Sequence, residues 1–319
     1  MVETRLLRIG GGAVPLGLRA KLPAAGTTGH PPVLLAHGAT LGGALFDLPR
    51  EGYSLMEALS RAGRAVYAVD VRGYGLSSGG AMERPAEGQA PFARAADVVA
   101  DIAAAAAFIL QRHAVPALDL VSFSWGTITA SLYAGAHEQQ VRRLVLYAPL
   151  YGERNPLWLQ RIADPLDPGR LAPALGAWRR VTQASLIERW NGDLPSGDPQ
   201  RLREDGIPEL VFETMAALDP SSDSQVPPAF RCPNGALADM VEVFNGRPLF
   251  DPTSLTMPLL VVRGEHDTTS SDTDCRNLLQ RFTSPDARYC VIRGASHFLC
   301  IERAREALYD ALDRFLEPA

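Results

Sequence analysis

The stretch Leu120-Val121-Ser122-Phe123-Ser124-Trp125-Gly126-Thr127 carries the strongest chemical signal in the chain. An apolar strand runs through a sharp turn into a helical segment. Such a turn presents one hydroxyl, that of Ser124, at the carboxyl end of a sheet, and its strained backbone needs small residues on either side. Gly126 fills one of those places, and Ser122, still small, replaces glycine at the other. The pattern alone also fits an ordinary strand-to-helix turn, so its weight comes from its context. A serine hydroxyl is a poor nucleophile and needs a base. The chain has six histidines. His30 precedes the first core strand, His37 reads as structural, and His113 and His137 lie near helix ends. His297, in Gly294-Ala295-Ser296-His297-Phe298, occupies the loop after the last predicted strand, on the sheet edge that the Ser124 turn would share. A base needs an orienting carboxylate. Asp267, which closes Val262-Arg263-Gly264-Glu265-His266-Asp267, is the choice, with Glu265 as competitor. The chemistry these groups suit is acyl transfer. Its oxyanion needs two N–H donors: Trp125 supplies one, and Ala39, with Thr40 second, supplies the other from the loop His37-Gly38-Ala39-Thr40.

These residues require a scaffold that brings distant loops to one edge. Apolar runs and helical periods alternate along the chain. Strands are predicted at 32–37, 64–70, 118–122, 143–147, 258–262 and 288–292. Helices are predicted at 53–62, 97–112, 127–137, 272–282 and 302–316. Two antiparallel strands are expected within Thr4–Leu22, joined near Gly10–Gly12, and the alanine-rich Ile102–Leu110 reads as a buried helix. Strands apolar on both faces and separated by helices predict a mostly parallel central sheet covered on both sides. Between about Tyr151 and Pro252 the pattern turns irregular and holds three of the four tryptophans. It is read as an inserted, mostly helical cap with pieces at 172–184 and 208–217. Residues 1–150 and 252–319 then form the α/β core and 151–251 the cap.

Five stretches together resemble the α/β-hydrolase superfamily, in its order and across residues 32–298. They are His37-Gly38-Ala39, Asp70-Val71-Arg72-Gly73-Tyr74-Gly75-Leu76-Ser77-Ser78, the Ser124 turn, Gly264-Glu265-His266-Asp267 and Gly294-Ala295-Ser296-His297. The resemblance implies that fold, with Ser124 as nucleophile, His297 as base and Asp267 as orienting acid. A serine at the turn is unlike haloalkane dehalogenases and epoxide hydrolases, which use aspartate there. Ser124-Trp125-Gly126-Thr127 is similar to proline iminopeptidases. Those usually carry Gly-Gly before the serine and His-Gly-Gly-Pro-Gly at the oxyanion loop, where this chain has Ser122-Phe123 and His37-Gly38-Ala39-Thr40. The first expectation is therefore hydrolysis of a small-molecule ester or thioester through an acyl-enzyme, with no metal or organic cofactor. An aminopeptidase or amidase is the second, and an acyltransferase, cyclase or lyase using the same three residues is another. A non-catalytic binding protein on this scaffold comes last. Thr40, Trp158, Trp178, Trp190, Phe212 and Phe298 are candidates to line the substrate pocket. Arg179-Arg180 and the acidic group Glu204, Asp205, Glu209 and Glu213 could read a charged substrate, but such charges more often form a solvated helix face. Cap carboxylates turned toward Ser124 would instead suit an ammonium-bearing substrate.

A net charge of −5 with no Lys/Arg run offers no footprint for nucleic acid or an anionic membrane. The four cysteines show neither CxxC nor zinc-type spacing, which suits reduced thiols and a cytoplasmic compartment. Met1–Gly12 has no apolar core of a signal peptide. No run of about 18 apolar residues suggests a membrane span. The sequence carries no sign of oligomeric state.

Overall fold

A computed structural model describes residues 2–10, 15–24, 26, 29–194, 197–224 and 226–317. In chain order the strands are β1 (Arg5–Ile9), β2 (Leu16–Lys21), β3 (Val33–Ala36), β4 (Val66–Asp70), β5 (Leu118–Phe123), β6 (Val141–Tyr147), β7 (Trp178–Thr182), β8 (Ala229–Pro233), β9 (Leu259–Gly264) and β10 (Ala287–Ile292). The α-helices are α1 (Leu55–Arg61), α2 (Ala95–His113), α3 (Gly126–Ala136), α4 (Pro156–Ile162), α5 (Gln183–Asn191), α6 (Ile207–Ala216), α7 (Gly235–Phe244), α8 (Asp272–Leu279) and α9 (Arg305–Leu316).

Eight strands make one sheet in the order β1-β2-β4-β3-β5-β6-β9-β10. β2 pairs antiparallel with both β1 and β4, and every other pair is parallel. Strands β3, β4 and β5 are buried along their whole length, as their unbroken apolar runs require when helices cover both faces. Ser122 stands level with Ala36 of β3 and Leu146 of β6, so the carboxyl ends of three central strands finish together. Helix α2 buries Val98, Ile102, Ala105, Ala106 and Ile109, a stripe at helical spacing, while Ala103, Ala104 and Phe108 are only partly covered or exposed. The alanine run is therefore half-buried rather than buried all round. The two N-terminal strands are present, and residues 11–14 of the predicted connection lie outside the described residues. No helix of the described residues is long and apolar enough to cross a membrane.

After β6 the chain leaves the sheet and returns only at β9. The departure is pinned by Asp274 of α8, whose buried carboxylate accepts the backbone N–H groups of Tyr151, Gly152 and Glu153 at 2.8, 2.9 and 2.9 Å. The excursion carries α4 to α7 and a two-stranded antiparallel ribbon, β7 with β8. Helix α6 falls where 208–217 predicts one, but the helix expected over 172–184 is absent. Gly176 turns out of the right-handed helical region at φ 57°, and a Cβ there would lie 2.0 Å from the Ala86 carbonyl oxygen, so only glycine fits this turn. Beyond it Val181 and Thr182 extend and pair with Phe230 and Ala229, a partner some fifty residues away that no local period reveals. Helices α4, α5 and α7 were not anticipated. Each is ten residues or shorter, so little periodicity accumulates in any of them.

Replacing Asp274 with Ala leaves three N–H donors, one buried and two partly buried, without an acceptor. The expected loss is about 3 kcal/mol. For a chain of this size that lowers Tm by about 4–5 °C, read by calorimetry or circular dichroism.

Candidate active site

Helix α3 begins one residue after a turn in which Ser124 adopts φ 56°, a left-handed conformation that costs a non-glycine residue about 1–2 kcal/mol. The turn is held from several sides. Ser124 N–H donates to the Tyr147 carbonyl at 2.9 Å, and Thr127 donates to the Ser124 carbonyl through its N–H and its hydroxyl. A Cβ on residue 126 would lie 2.4 Å from the His37 carbonyl oxygen, so glycine is required there. At residue 122 a serine is accommodated because its Oγ donates to the Val145 carbonyl of β6 at 2.8 Å.

The three side chains expected to converge do so. His297 Nε2 lies 2.8 Å from Ser124 Oγ, and His297 Nδ1 lies 2.8 Å from Asp267 Oδ2. A carboxylate only accepts, so Nδ1 carries the proton and Nε2 is left to accept from the serine. All three residues are buried, each 5% exposed or less. Asp267 Oδ1 accepts the N–H groups of Thr269 and Ser270 at 2.8 and 2.9 Å. Burial alone would raise its carboxyl, but the adjacent His297 and the hydrogen bonds outweigh it and hold the group below the ordinary value. The competitor Glu265 is exposed and accepts from the Gly294 N–H instead.

Ala39 lines the same cavity as Ser124, and Trp125 follows Ser124 in the chain. Among the described residues no protein acceptor takes the N–H of Trp125 or of Ala39. The Ala39 peptide is set by His37, whose Nε2 accepts the Val71 N–H at 3.2 Å, which leaves Nδ1–H to donate to the Gly38 carbonyl at 2.9 Å. With that carbonyl held toward the ring, the planar peptide points the Ala39 N–H the other way. Burial lowers the His37 ring below the ordinary histidine value, which favours the neutral form that this arrangement needs.

Two positioning residues escaped the sequence reading. The Tyr147 hydroxyl donates to the His297 carbonyl at 2.7 Å while its own carbonyl holds Ser124, so the end of β6 joins both loops. Glu302 lies under the His297 loop and accepts the Ser296 N–H, the Ser296 hydroxyl and, at 2.7 Å, the Trp190 indole N–H from α5. Neither has a local sequence signal, since a strand-ending tyrosine and a glutamate before a helix are both commonplace.

Above Ser124 and His297 lies a cavity of about 300 Å³. Thr40, Trp158 and Phe298 line it, as expected. Trp178, Trp190 and Phe212 do not. The Trp178 indole donates to the Arg84 carbonyl, Trp190 is fully buried on Glu302, and Phe212 packs on Phe230. These aromatic rings anchor the excursion, Trp190 and Phe212 through burial and Trp178 through its indole bond. Residues 204, 205, 209 and 213 do not line the cavity either.

The sheet order, the parallel crossovers and the strand-turn-helix at Ser124 define an α/β-hydrolase. The chain belongs to the family described as serine aminopeptidase, S33, whose profile matches residues 50–304. Among solved structures it is similar to E-2-(acetamidomethylene)succinate hydrolase (20% identity, TM-score 0.65), over 99% of this chain and 100% of that one. It is also similar to a soluble variant of monoglyceride lipase from Saccharomyces cerevisiae (15% identity, TM-score 0.67), over 99% and 96%. The thioesterase domain from the curacin biosynthetic pathway matches at 18% identity and TM-score 0.62, over 99% of each chain. At these identities the likeness is one of fold. No curated protein matches the chain by sequence.

Burial raises the Glu302 carboxyl from 4.5 to about 7, against the hydrogen bonds it accepts. The folded protein therefore binds a proton between those values that the unfolded chain releases. Stability should fall as pH rises through that window, by roughly 1.4 kcal/mol for each pH unit crossed. Urea melts of wild type and Glu302→Gln at pH 4.5 to 8 check this: the variant should lose most of that slope, and parallel slopes would contradict it.

Proposed function

We propose that the protein is a serine hydrolase that cleaves a carboxylic ester or thioester of a small molecule through an acyl-enzyme on Ser124. The observation that carries this reading is the continuous hydrogen-bonded chain from Asp267 through His297 to Ser124, 2.8 Å at each link, beside two unengaged N–H groups. Ser124 Oγ attacks the acyl carbon as His297 Nε2 takes its proton. The tetrahedral oxyanion lies against the Ala39 and Trp125 N–H groups, and the N-terminal end of α3 adds a favourable dipole. Collapse breaks the bond to the leaving oxygen or sulfur, which departs with the proton from His297. Water then gives a proton to Nε2 as its oxygen adds to the acyl carbon, and release of Ser124 Oγ returns that proton to the serine. Asp267 holds the Nδ1–H tautomer and stabilises the imidazolium formed in each half-reaction.

The family description favours a second reading, an aminopeptidase. A substrate ammonium would need a carboxylate facing Ser124, and none of the described residues lining the cavity is Asp or Glu. That favours ester or thioester cleavage.

Ser124→Ala should abolish turnover of a p-nitrophenyl ester and labelling by a fluorophosphonate while leaving the melting curve in place. Unchanged rates in this variant would refute the nucleophile. Asp267→Asn should keep the fold and lower kcat by about 10⁴-fold, because the amide favours the wrong tautomer of His297. Steady-state kinetics of the purified variant decide it.

A further inference from the structure

The cavity over Ser124 is lined mainly by apolar side chains, among them Ile162, Leu186 and Met240, yet four arginines also face it and no acidic residue does. Arg179 and Arg189 are half-buried, whereas Arg161 and Arg180 are exposed and stand at its rim. Arg179, on β7, donates to the Pro233 and Ala39 carbonyls, to Asn234 Oδ1 and to Thr40 Oγ1, at 2.8 to 3.1 Å. All four acceptors are neutral. Arg189, on α5, lies over the Trp158 and Phe298 rings, donates to Thr269 Oγ1 and pairs with Asp193 at 3.2 Å. Among the described residues Arg161, Arg179 and Arg180 have no carboxylate partner. Of four cations around one apolar chamber, a single one is neutralised.

Withdrawing a guanidinium from water without a counter-charge is unfavourable, and because the terminal N–H groups of Arg179 are taken by neutral acceptors, that residue would act on a bound carboxylate through its charge. The two inner arginines also flank the reacting groups. Arg179 touches the Ala39-Thr40 loop on one side, and Arg189 reaches Thr269, whose N–H holds Asp267, on the other. A carboxylate seated between them would place an ester carbonyl a few carbons away over Ser124. Resting on the acyl-enzyme reading, we propose that the substrate is an anionic ester or thioester whose second functional group is a carboxylate held by these arginines. The same field disfavours an ammonium-bearing substrate.

The test reads binding without turnover, so its failure is separable from a failure of Ser124 to acylate. Calorimetry on the Ser124→Ala protein compares three ligands of one length: monomethyl adipate, dimethyl adipate and the methyl ester of 6-aminohexanoic acid. The carboxylate ligand should bind at least about tenfold tighter than the neutral diester, and the ammonium ligand weakest. The advantage should shrink as salt is raised from low to physiological strength and above. In Ser124→Ala carrying Arg180→Glu, a rim substitution that the fold tolerates, the ratio of carboxylate to neutral affinity should fall several-fold. Arg189→Gln in the same background should reduce it further. Equal affinities, tightest binding of the ammonium ligand, no saturable binding of the carboxylate, or a ratio indifferent to both substitutions overturns the proposal.

Discussion

At Ser124 the chain must pass from a buried strand into a helix within a single residue, at a backbone angle that an L side chain disfavours. That turn exists only because neighbours on other strands have left room for it and bind it from outside. Gly126 lets α3 slide against the His37 carbonyl, Ser122 satisfies its own hydroxyl on β6, and Tyr147 holds the turn by its carbonyl. The strain is therefore balanced by long-range packing, and the parallel register that levels β3, β5 and β6 becomes a requirement of the site.

The same economy of contacts joins the excursion to the sheet edge. The four indole N–H groups each find an acceptor: Trp125 on Asp239 of α7, Trp158 on Thr269, Trp178 on the Arg84 carbonyl and Trp190 on Glu302. Thr269 also binds Asp267, and Glu302 also binds Ser296 next to His297. Movement of the excursion would thus be felt at Asp267 and at the loop that carries His297. Among residues this buried the effective dielectric is low, and each of these bonds carries more weight than it would in water.

Charge sets the character of the chamber. The chain is mildly acidic as a whole, yet the described residues lining the cavity over Ser124 include four arginines and no carboxylate. Net charge averages over the surface and says nothing of a local field, which depends on which side chains the fold gathers. The family to which the chain belongs is described as a serine aminopeptidase, a name that implies a substrate with a free amino terminus, whereas arginines and no carboxylate line the cavity here. Fold and family narrow the reaction class, and the lining of the cavity narrows the substrate.

The sheet and the positions of Ser124, Asp267 and His297 were legible in the sequence because their signals are local. An unbroken apolar run marks a strand covered on both faces, and a small-residue turn after such a run marks where a hydroxyl can emerge. Parallel crossovers then bring all such loops to one edge without further information. The interior of the excursion was not legible. Its helices are short, its ribbon joins strands nearly fifty residues apart, and Gly176 makes a left-handed turn packed closely against the Ala86 carbonyl of a different loop. Nor could the sequence say that Trp178, Trp190 and Phe212 would serve as anchors while Arg161, Arg179, Arg180 and Arg189 turned toward the cavity. Whether an aromatic or a guanidinium faces a site depends on which distant acceptor or ring it meets, and only the folded chain decides those meetings.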